Sequence, residues 1–250
     1  MAARCALSSC AWKKPAIAGL SARLTLPLTL LLTLLLTLLL TTAGAWAGTV
    51  QLTVLNAEGR FAPDTVVLVQ PTATWAPQPL PPTAVIEQQD IRFTPYVTVV
   101  PVGGAVRFVN LDNFDHHVRS QPGGPLGSIA PAKEFEFRLP AKRKANNASP
   151  ELRLDVAGSV LLGCHLHNSM RGHLYVSNTP WYAVTDDQGK VRITGVPDGQ
   201  VEVRLWHPDQ VTEQPALRMQ VQGTVSSESK LNFTPRRRPA PRVAPRGEYS

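Results

Sequence analysis

The chain has 250 residues, and its 25 Lys and Arg outnumber its 18 Asp and Glu, so that its formal net charge is +7. Two of its three cysteines, Cys5 and Cys10, precede a long apolar run, and removal of that segment would leave only Cys164. One cysteine cannot form an intramolecular disulfide, which excludes a small disulfide-stabilised domain and favours a thiol that is buried or bound to a metal.

The amino terminus has the pattern of a secretory signal. An apolar run from Leu24 to Thr42 is followed by Ala45-Trp46-Ala47, which has small residues at the spacing that signal cleavage requires. The basic residues before this run are Arg4, Lys13, Lys14 and Arg23. We therefore expect cleavage before Gly48 and a periplasmic or secreted protein. The alternative is an uncleaved membrane anchor, because the run approaches the roughly 20 residues that span a bilayer.

The remainder of the chain is predicted to be all-β. Short alternating or β-branched runs are separated by Pro and Gly throughout, and no long segment has helical periodicity. The predicted strands are Thr49–Val54, Thr65–Val69, Val97–Val100, Phe135–Leu139, Leu152–Val156, Val191–Thr194 and Val201–Trp206. The fold should be a β-sandwich, and about 200 residues suffice for one large domain or two small ones.

Two segments carry residues with the chemistry of a metal site. The strand-like run Ala105–Asn110 leads through a polar turn to His116-His117, and a second strand-like run leads to Cys164-His165-Leu166-His167-Asn168-Ser169-Met170. The Cys-x-x-His-x-x-Met spacing can place three side chains on one side of a loop. Two imidazoles and a thiolate, with a weak axial thioether, are the ligands of a blue copper site. Zinc is the main competitor, but a thioether suits copper better.

With these motifs, residues 83 to 178 resemble the cupredoxins, and most closely the amicyanin-like, methylamine-utilization branch. The resemblance implies a Greek-key β-sandwich that holds one copper ion, cycling between Cu(I) and Cu(II). Carried over by position, it implies four ligands: His116, Cys164, His167 and Met170.

The chain departs from the cupredoxin pattern at two positions. His117 stands where the family usually has Asn after the first ligand, and His165 stands where it usually has Ser or Thr after the cysteine. We hypothesise that these imidazoles face each other in a contact whose strength depends on pH. His117 also competes with His116 for the role of first ligand.

The segments on either side of this region resemble the two halves of another small fold. Residues 48–70 and 182–207 resemble parts of a carboxypeptidase-regulatory-like, transthyretin-like sandwich, which predicts that the cupredoxin domain is inserted between its second and third strands. The alternative is one elaborated cupredoxin. The predicted organisation is a signal peptide at 1–47, a first sandwich part at 48–70, the cupredoxin domain at 71–178, a second sandwich part at 179–233 and a disordered Pro/Arg-rich tail at 234–250.

These patterns predict an exported electron carrier that meets redox proteins transiently. No second metal cluster or catalytic triad is found in the sequence, so an enzyme is not expected. The alternative function is copper storage, delivery or sensing, with the small sandwich as a docking module. The tail carries most of the basicity and is a candidate for contact with an acidic protein or a membrane surface, whereas an exported protein has little reason to bind nucleic acid.

Overall fold

A computed structural model describes residues 47–236. The predicted signal peptide, up to residue 46, and the predicted tail beyond residue 236 lie outside the described residues. The strands are β1 (Ala47–Leu55), β2 (Val66–Pro71), β3 (Ala84–Gln89), β4 (Arg92–Thr94), β5 (Val97–Pro101), β6 (Ala105–Asn110), β7 (His116–Gln121), β8 (Glu136–Leu139), β9 (Leu152–Arg153), β10 (Gly158–Cys164), β11 (Arg171–Ser177), β12 (Trp181–Val184), β13 (Lys190–Pro197), β14 (Gly199–Trp206), β15 (Leu217–Val221) and β16 (Thr224–Lys230).

The predicted all-β class is confirmed. Within residues 47–236 the helical structure consists of a single 3-10 turn, Pro125–Gly127. The strands form four sheets of three to five strands each. No helix in this part of the chain has the length and apolar character needed to cross a membrane.

Two of the sheets form a sandwich from the two ends of the described chain. One sheet has the order β13-β1-β16, and the other has the order β12-β2-β14-β15. Alternate residues of β1 and β14 point into the shared core, among them Val50, Leu52, Val201 and Val203. This alternation is the period-2 pattern expected of strands with one buried face.

The other two sheets form a second β-sandwich. Their orders are β5-β11-β10-β7-β8 and β4-β3-β6-β9. The core between them includes Phe108, Leu162 and Leu174, and it extends to Cys164 and Met170 at one end. The metal-binding motif therefore lies at the edge of an apolar core.

The strands form two sets, and each strand pairs only within its own set. Within the described residues, β1 and β2 pair with β12, β13, β14 and β16, whereas strands β3 to β11 pair among themselves. The intervening run from β3 to β11 starts after β2 ends at Pro71 and ends before β12 starts at Trp181. This pairing is what an insertion between the second and third strands of the small sandwich would produce, and the predicted domain boundaries stay a proposal.

Strand β2 is buried on both faces, and each face packs against a different sandwich. Val67 and Val69 point into the core of the small sandwich, whereas Val66 and Leu68 pack with Val97 of β5 in a separate cluster. A strand buried on both faces is expected to be a continuous apolar run rather than an alternating one. The sequence Val66-Val67-Leu68-Val69 has that character.

The predicted strands differ from the observed ones in specific places. The run Leu152–Val156 contains only the two-residue β9. Strands β3, β4, β12, β15 and β16 were missed. The last of these, Thr-Val-Ser-Ser-Glu-Ser-Lys, lies at the edge of its sheet and is mostly exposed, so it carries no alternating apolar signal.

Candidate metal centre

The loop before His116 is shaped by a buried asparagine. The Asn110 side-chain amide donates hydrogen bonds to the carbonyl oxygens of Phe114, Leu139 and Pro140, and its Oδ1 accepts one from the backbone N–H of Asp112. Asn110 is fully buried, so each of these bonds satisfies a group that water does not reach. The loop therefore delivers His116 to the start of β7 in one orientation.

His116 is fully buried and is held from both ring nitrogens. Its Nε2 lies 2.8 Å from Oδ2 of Asp112, and its Nδ1 lies 3.6 Å from Sγ of Cys164. Burial by itself would lower the pKa of His116, but the contacts with Asp112 and Cys164 raise it above its ordinary value. The imidazole is oriented with Nδ1 toward the cysteine.

Asp112 is itself fixed by backbone groups. Its carboxylate accepts hydrogen bonds from the N–H groups of Asp90, at 2.8 Å, and Ile91, at 3.1 Å, which form the turn between β3 and β4. Both turn residues have positive φ angles, which is unusual for a β-branched residue such as Ile91. Burial would raise the pKa of Asp112, but the hydrogen bonds from His116, Ile91 and Asp90 lower it, so the group is a carboxylate.

Cys164 is the last residue of β10. Its Sγ lies 3.5 Å from Nδ1 of His167 and accepts a 3.4 Å hydrogen bond from the backbone N–H of His117. Burial would raise the thiol pKa, but hydrogen bonds from His116, the N–H of His117 and His167 lower it to about 6. The side chain is only 4 % exposed. With this pKa, Cys164 is mostly a thiolate at neutral pH, and the thiolate is the form that binds metals.

The loop after Cys164 turns back on itself. The N–H of Met170 donates a 2.9 Å hydrogen bond to the carbonyl oxygen of His167, which closes the turn. Met170 is 1 % exposed and lies in the same core cluster as Cys164, whereas His167 is partly exposed. The ring of Phe114 packs against both His116 and His167, with centroids 5.3 and 5.2 Å apart, and covers the two imidazoles.

These residues fit a metal ion. The ligand atoms of His116, Cys164 and His167 all lie within 4.8 Å of one another. An ion about 2.0–2.1 Å from a nitrogen and about 2.3 Å from a sulfur, at an angle of roughly 110°, separates those two atoms by about 3.6 Å. The observed separations of 3.5 and 3.6 Å match this value. The structure thus brings three of the sequence-predicted ligands together and buries Met170 in the same core cluster as Cys164.

The neighbouring histidines lie on the other face of the sheet. The rings of His117 and His165 face each other with centroids 4.9 Å apart, as hypothesised, and the pH dependence of this contact stays a prediction. Nε2 of His117 lies 2.8 Å from Oε1 of Glu136, which directs this ring away from Cys164. His116, and not His117, has its ring nitrogen against the cysteine.

Sequence reasoning missed three residues of this region. Asn110 was treated as the end of a strand and Asp112 as a turn residue, although an Asp four residues before a candidate His ligand was a usable signal. Glu136 was not singled out, although the structure groups it with His117 and His165 as a second candidate for metal binding. Glu136 is 19 residues from His117, and only the pairing of β7 with β8 brings them together.

Neither a family model nor a curated protein matches this chain. Solved structures that match include the Cu-containing nitrite reductase (NirK) from Thermus scotoductus SA-01, with 22% identity, a TM-score of 0.34, and coverage of 44% of this chain and 26% of that chain. The reduced Cu(I) form of an amicyanin variant at pH 4 matches with 22% identity and a TM-score of 0.30, over 38% of this chain and 82% of that chain. The chain spans about a quarter of the length of the nitrite reductase, and each similarity covers less than half of this chain.

Proposed function

We propose that this chain is an exported type 1 copper protein that carries single electrons between redox partners. The observation that carries the proposal is the buried Cys164 Sγ, which lies 3.5–3.6 Å from Nδ1 of both His116 and His167. The buried thioether of Met170, which shares a core cluster with Cys164, favours copper over zinc, because thioethers are soft ligands that zinc sites rarely use.

The arrangement of the side chains supports electron transfer in particular. Bound copper would supply a one-electron couple between Cu(I) and Cu(II). The chain holds Cys164 and His116 in place through hydrogen bonds and packing that do not depend on the ion. Ligand side chains that the fold already holds in place move little between the two oxidation states. This keeps the reorganisation energy of electron transfer small. Four protein ligands would also leave no open position of the kind that metal catalysis uses.

His167 is the proposed point of electron exchange. It is the partly exposed member of the ligand set, and the neighbouring Leu166 is 55 % exposed. An exposed imidazole edge next to an apolar side chain suits a small and transient protein contact. The basic tail is a second proposed contact, for an acidic partner or a membrane surface. The signal-like pattern of the amino-terminal sequence supports an exported protein, in the periplasm or outside the cell.

The test is a comparison of Cu(II)-loaded wild type with a Cys164→Ser variant, by visible absorption and electron paramagnetic resonance. The wild type should show an intense thiolate-to-copper band and a narrow copper hyperfine splitting, and the variant should lose both. Ser169→Ala, in the exposed part of the same loop, is the matched control and should keep the spectrum. A pale spectrum that Cys164→Ser does not change would overturn the proposal.

A second measurement separates an electron carrier from a copper storage or delivery protein. An electron carrier should cycle repeatedly between its oxidised and reduced forms without loss of copper to a competing chelator. A delivery protein should release its copper to the chelator on reduction. The buried positions of Cys164, His116 and Met170 favour the first outcome.

A further inference from the structure

A second group of metal-binding side chains lies on the outer face of the sheet that carries Cys164. It consists of His117, Glu136 and His165, whose ligand atoms all lie within 4.8 Å of one another. Nε2 of His117 is 2.8 Å from Oε1 of Glu136, and Nε2 of His165 is 3.3 Å from the same oxygen. The three groups therefore converge on one point.

The sheet register explains this convergence. Strands β10, β7 and β8 are neighbours, and β7 pairs with β8 so that Arg119 lies opposite Glu136 and His117 opposite Arg138. Because side chains alternate between the faces of a strand, residues next to the buried His116 and Cys164 point outward. His117 and His165 are those residues, and Glu136 lies on the same outer face as Arg119 and His117.

The spacing of the three ligand atoms fits a metal ion. Donor atoms that bind one ion at about 2.0–2.2 Å lie about 2.8–3.6 Å apart when they subtend angles of roughly 90–110° at the ion. The observed distances of 2.8 and 3.3 Å fall in this range. The side chains are 32%, 41% and 53% exposed for His117, His165 and Glu136, so an ion could enter from solvent and keep water ligands.

The basic residues across the strands from this group form no ion pair with Glu136 among the described residues. Arg138 lies opposite His117, and its guanidinium Nη2 lies 3.5 Å from Oδ2 of Asp115, while Arg119 lies opposite Glu136 without an ion pair to it. Asp115 also binds Lys144, at 3.1 Å. The contacts of Glu136 within the described ion pairs are the two histidines alone.

We propose that His117, Glu136 and His165 form a second metal site, which takes a divalent transition-metal ion of the Zn²⁺ or Cu²⁺ class. Two imidazoles and one carboxylate are a ligand set that catalytic zinc sites use, and the stability order of divalent ions places Cu²⁺ above Zn²⁺ at such nitrogen and oxygen ligands. Water would complete the coordination.

The second site is linked to the first through the backbone. His165 follows Cys164 directly and His117 follows His116, so each histidine of the outer site shares a peptide bond with a predicted ligand of the inner one. Occupation of the outer site would therefore place a positive charge one residue from both the thiolate and the buried imidazole. The proposal does not require the inner site to hold copper.

The experiment counts Zn²⁺ ions retained by the untagged protein after equilibrium dialysis, with the inner site first filled by Cu(I). Wild type should retain one Zn²⁺ per chain, and the His117 and His165 ring resonances should shift on its addition. Glu136→Gln and His165→Ala should each weaken this binding at least about tenfold, since even the loss of a group that supports a ligand costs that much. The matched control is Glu134→Gln, an exposed glutamate two residues earlier, which should bind as wild type does.

A Cys164→Ser background separates this proposal from the blue copper proposal. There the Zn²⁺ at the outer site should persist and should be lost on adding Glu136→Gln, whether or not the inner site is of the blue type. No retained Zn²⁺ in the wild type, or binding that Glu136→Gln and His165→Ala leave unchanged, would overturn the second site. Circular dichroism of each variant checks that the β-sandwich is intact.

Discussion

Nε2 of His116 lies 2.8 Å from the carboxylate of Asp112, and that carboxylate also accepts the backbone N–H groups of the turn between β3 and β4. When Nδ1 of His116 binds a metal ion, the proton of the imidazole would stay on Nε2 and be donated to Asp112. A carboxylate in this position selects the tautomer and makes the other nitrogen a better ligand. Asp112 is therefore a positioning residue for the candidate metal centre.

Asp112→Asn should weaken copper binding by about 10- to 100-fold, the usual effect of changing the hydrogen-bond partner of a ligand histidine. The amide has only one acceptor oxygen, so one of the backbone N–H groups of Asp90 and Ile91 would lose its partner, at a cost of about 1–3 kcal/mol in the free energy of unfolding. Competition with a copper chelator and denaturant unfolding measure the two effects. Asp155→Asn, at an exposed aspartate, should change neither. Equal copper affinity in wild type and Asp112→Asn would show that Asp112 does not position the ligand.

Met170→Leu should raise the reduction potential, because the loss of a thioether donor destabilises Cu(II) more than Cu(I). A rise of about 59 mV corresponds to a tenfold change in the relative affinity for the two oxidation states. Met170→Gln should lower the potential instead, since an oxygen donor favours Cu(II). Cyclic voltammetry gives both values, and Met219→Leu in the small sandwich is the control. Potentials that are the same in all four proteins would remove Met170 from the ligand set.

Cys164 should titrate with a pKa near 6 in the metal-free folded protein, below its ordinary value of 9.0. Because the unfolded chain binds more protons between these values, this group stabilises the fold fully above pH 9.0 and loses that effect as pH falls through 6. The ultraviolet absorbance of the thiolate follows the titration directly. Denaturant unfolding of the metal-free proteins measures the consequence for stability. The free energy of unfolding of the wild type should rise with pH between these two pKa values, and that of Cys164→Ser should lack this rise. A thiolate that forms only in the alkaline range would contradict the assigned hydrogen bonds.

His173 should make the fold sensitive to acid. Burial, opposed in part by Asp209, lowers its pKa from 6.5 to about 4, and its Nε2 lies 3.2 Å from the hydroxyl of Tyr96. The unfolded state therefore binds the proton more readily, and stability should fall as pH drops from 6.5 through 4 by at most about 3 kcal/mol.

His173→Gln keeps a polar partner for Tyr96 and removes the titrating group. Its free energy of unfolding, measured by chemical denaturation across this pH window, should decline less steeply than that of the wild type. Parallel curves for the two proteins would mean that His173 does not control the acid response.

Local sequence patterns predict some strands of this fold and miss others. The alternation in β1 and β14, and the apolar run of β2, predict strands because the burial of one or both faces imposes those patterns. The polar edge strand β16 has no such requirement, since most of its residues are exposed, and the sequence carries no sign of it. Its position in the sheet is set by parallel pairing with β1, which is a long-range relationship.

The sequence by itself determined that Cys164, His167 and Met170 share one loop, because residues three apart in a tight turn reach the same side of it. It did not determine what meets that loop. His116 is 48 residues away, and the pairing of β10 with β7 decides that its Nδ1 lies against the cysteine. The carboxylates of Asp112 and Glu136 are likewise chosen by loop shape and strand register. Local spacing fixes which side chains one turn presents, whereas the hydrogen-bond register of distant strands decides their partners.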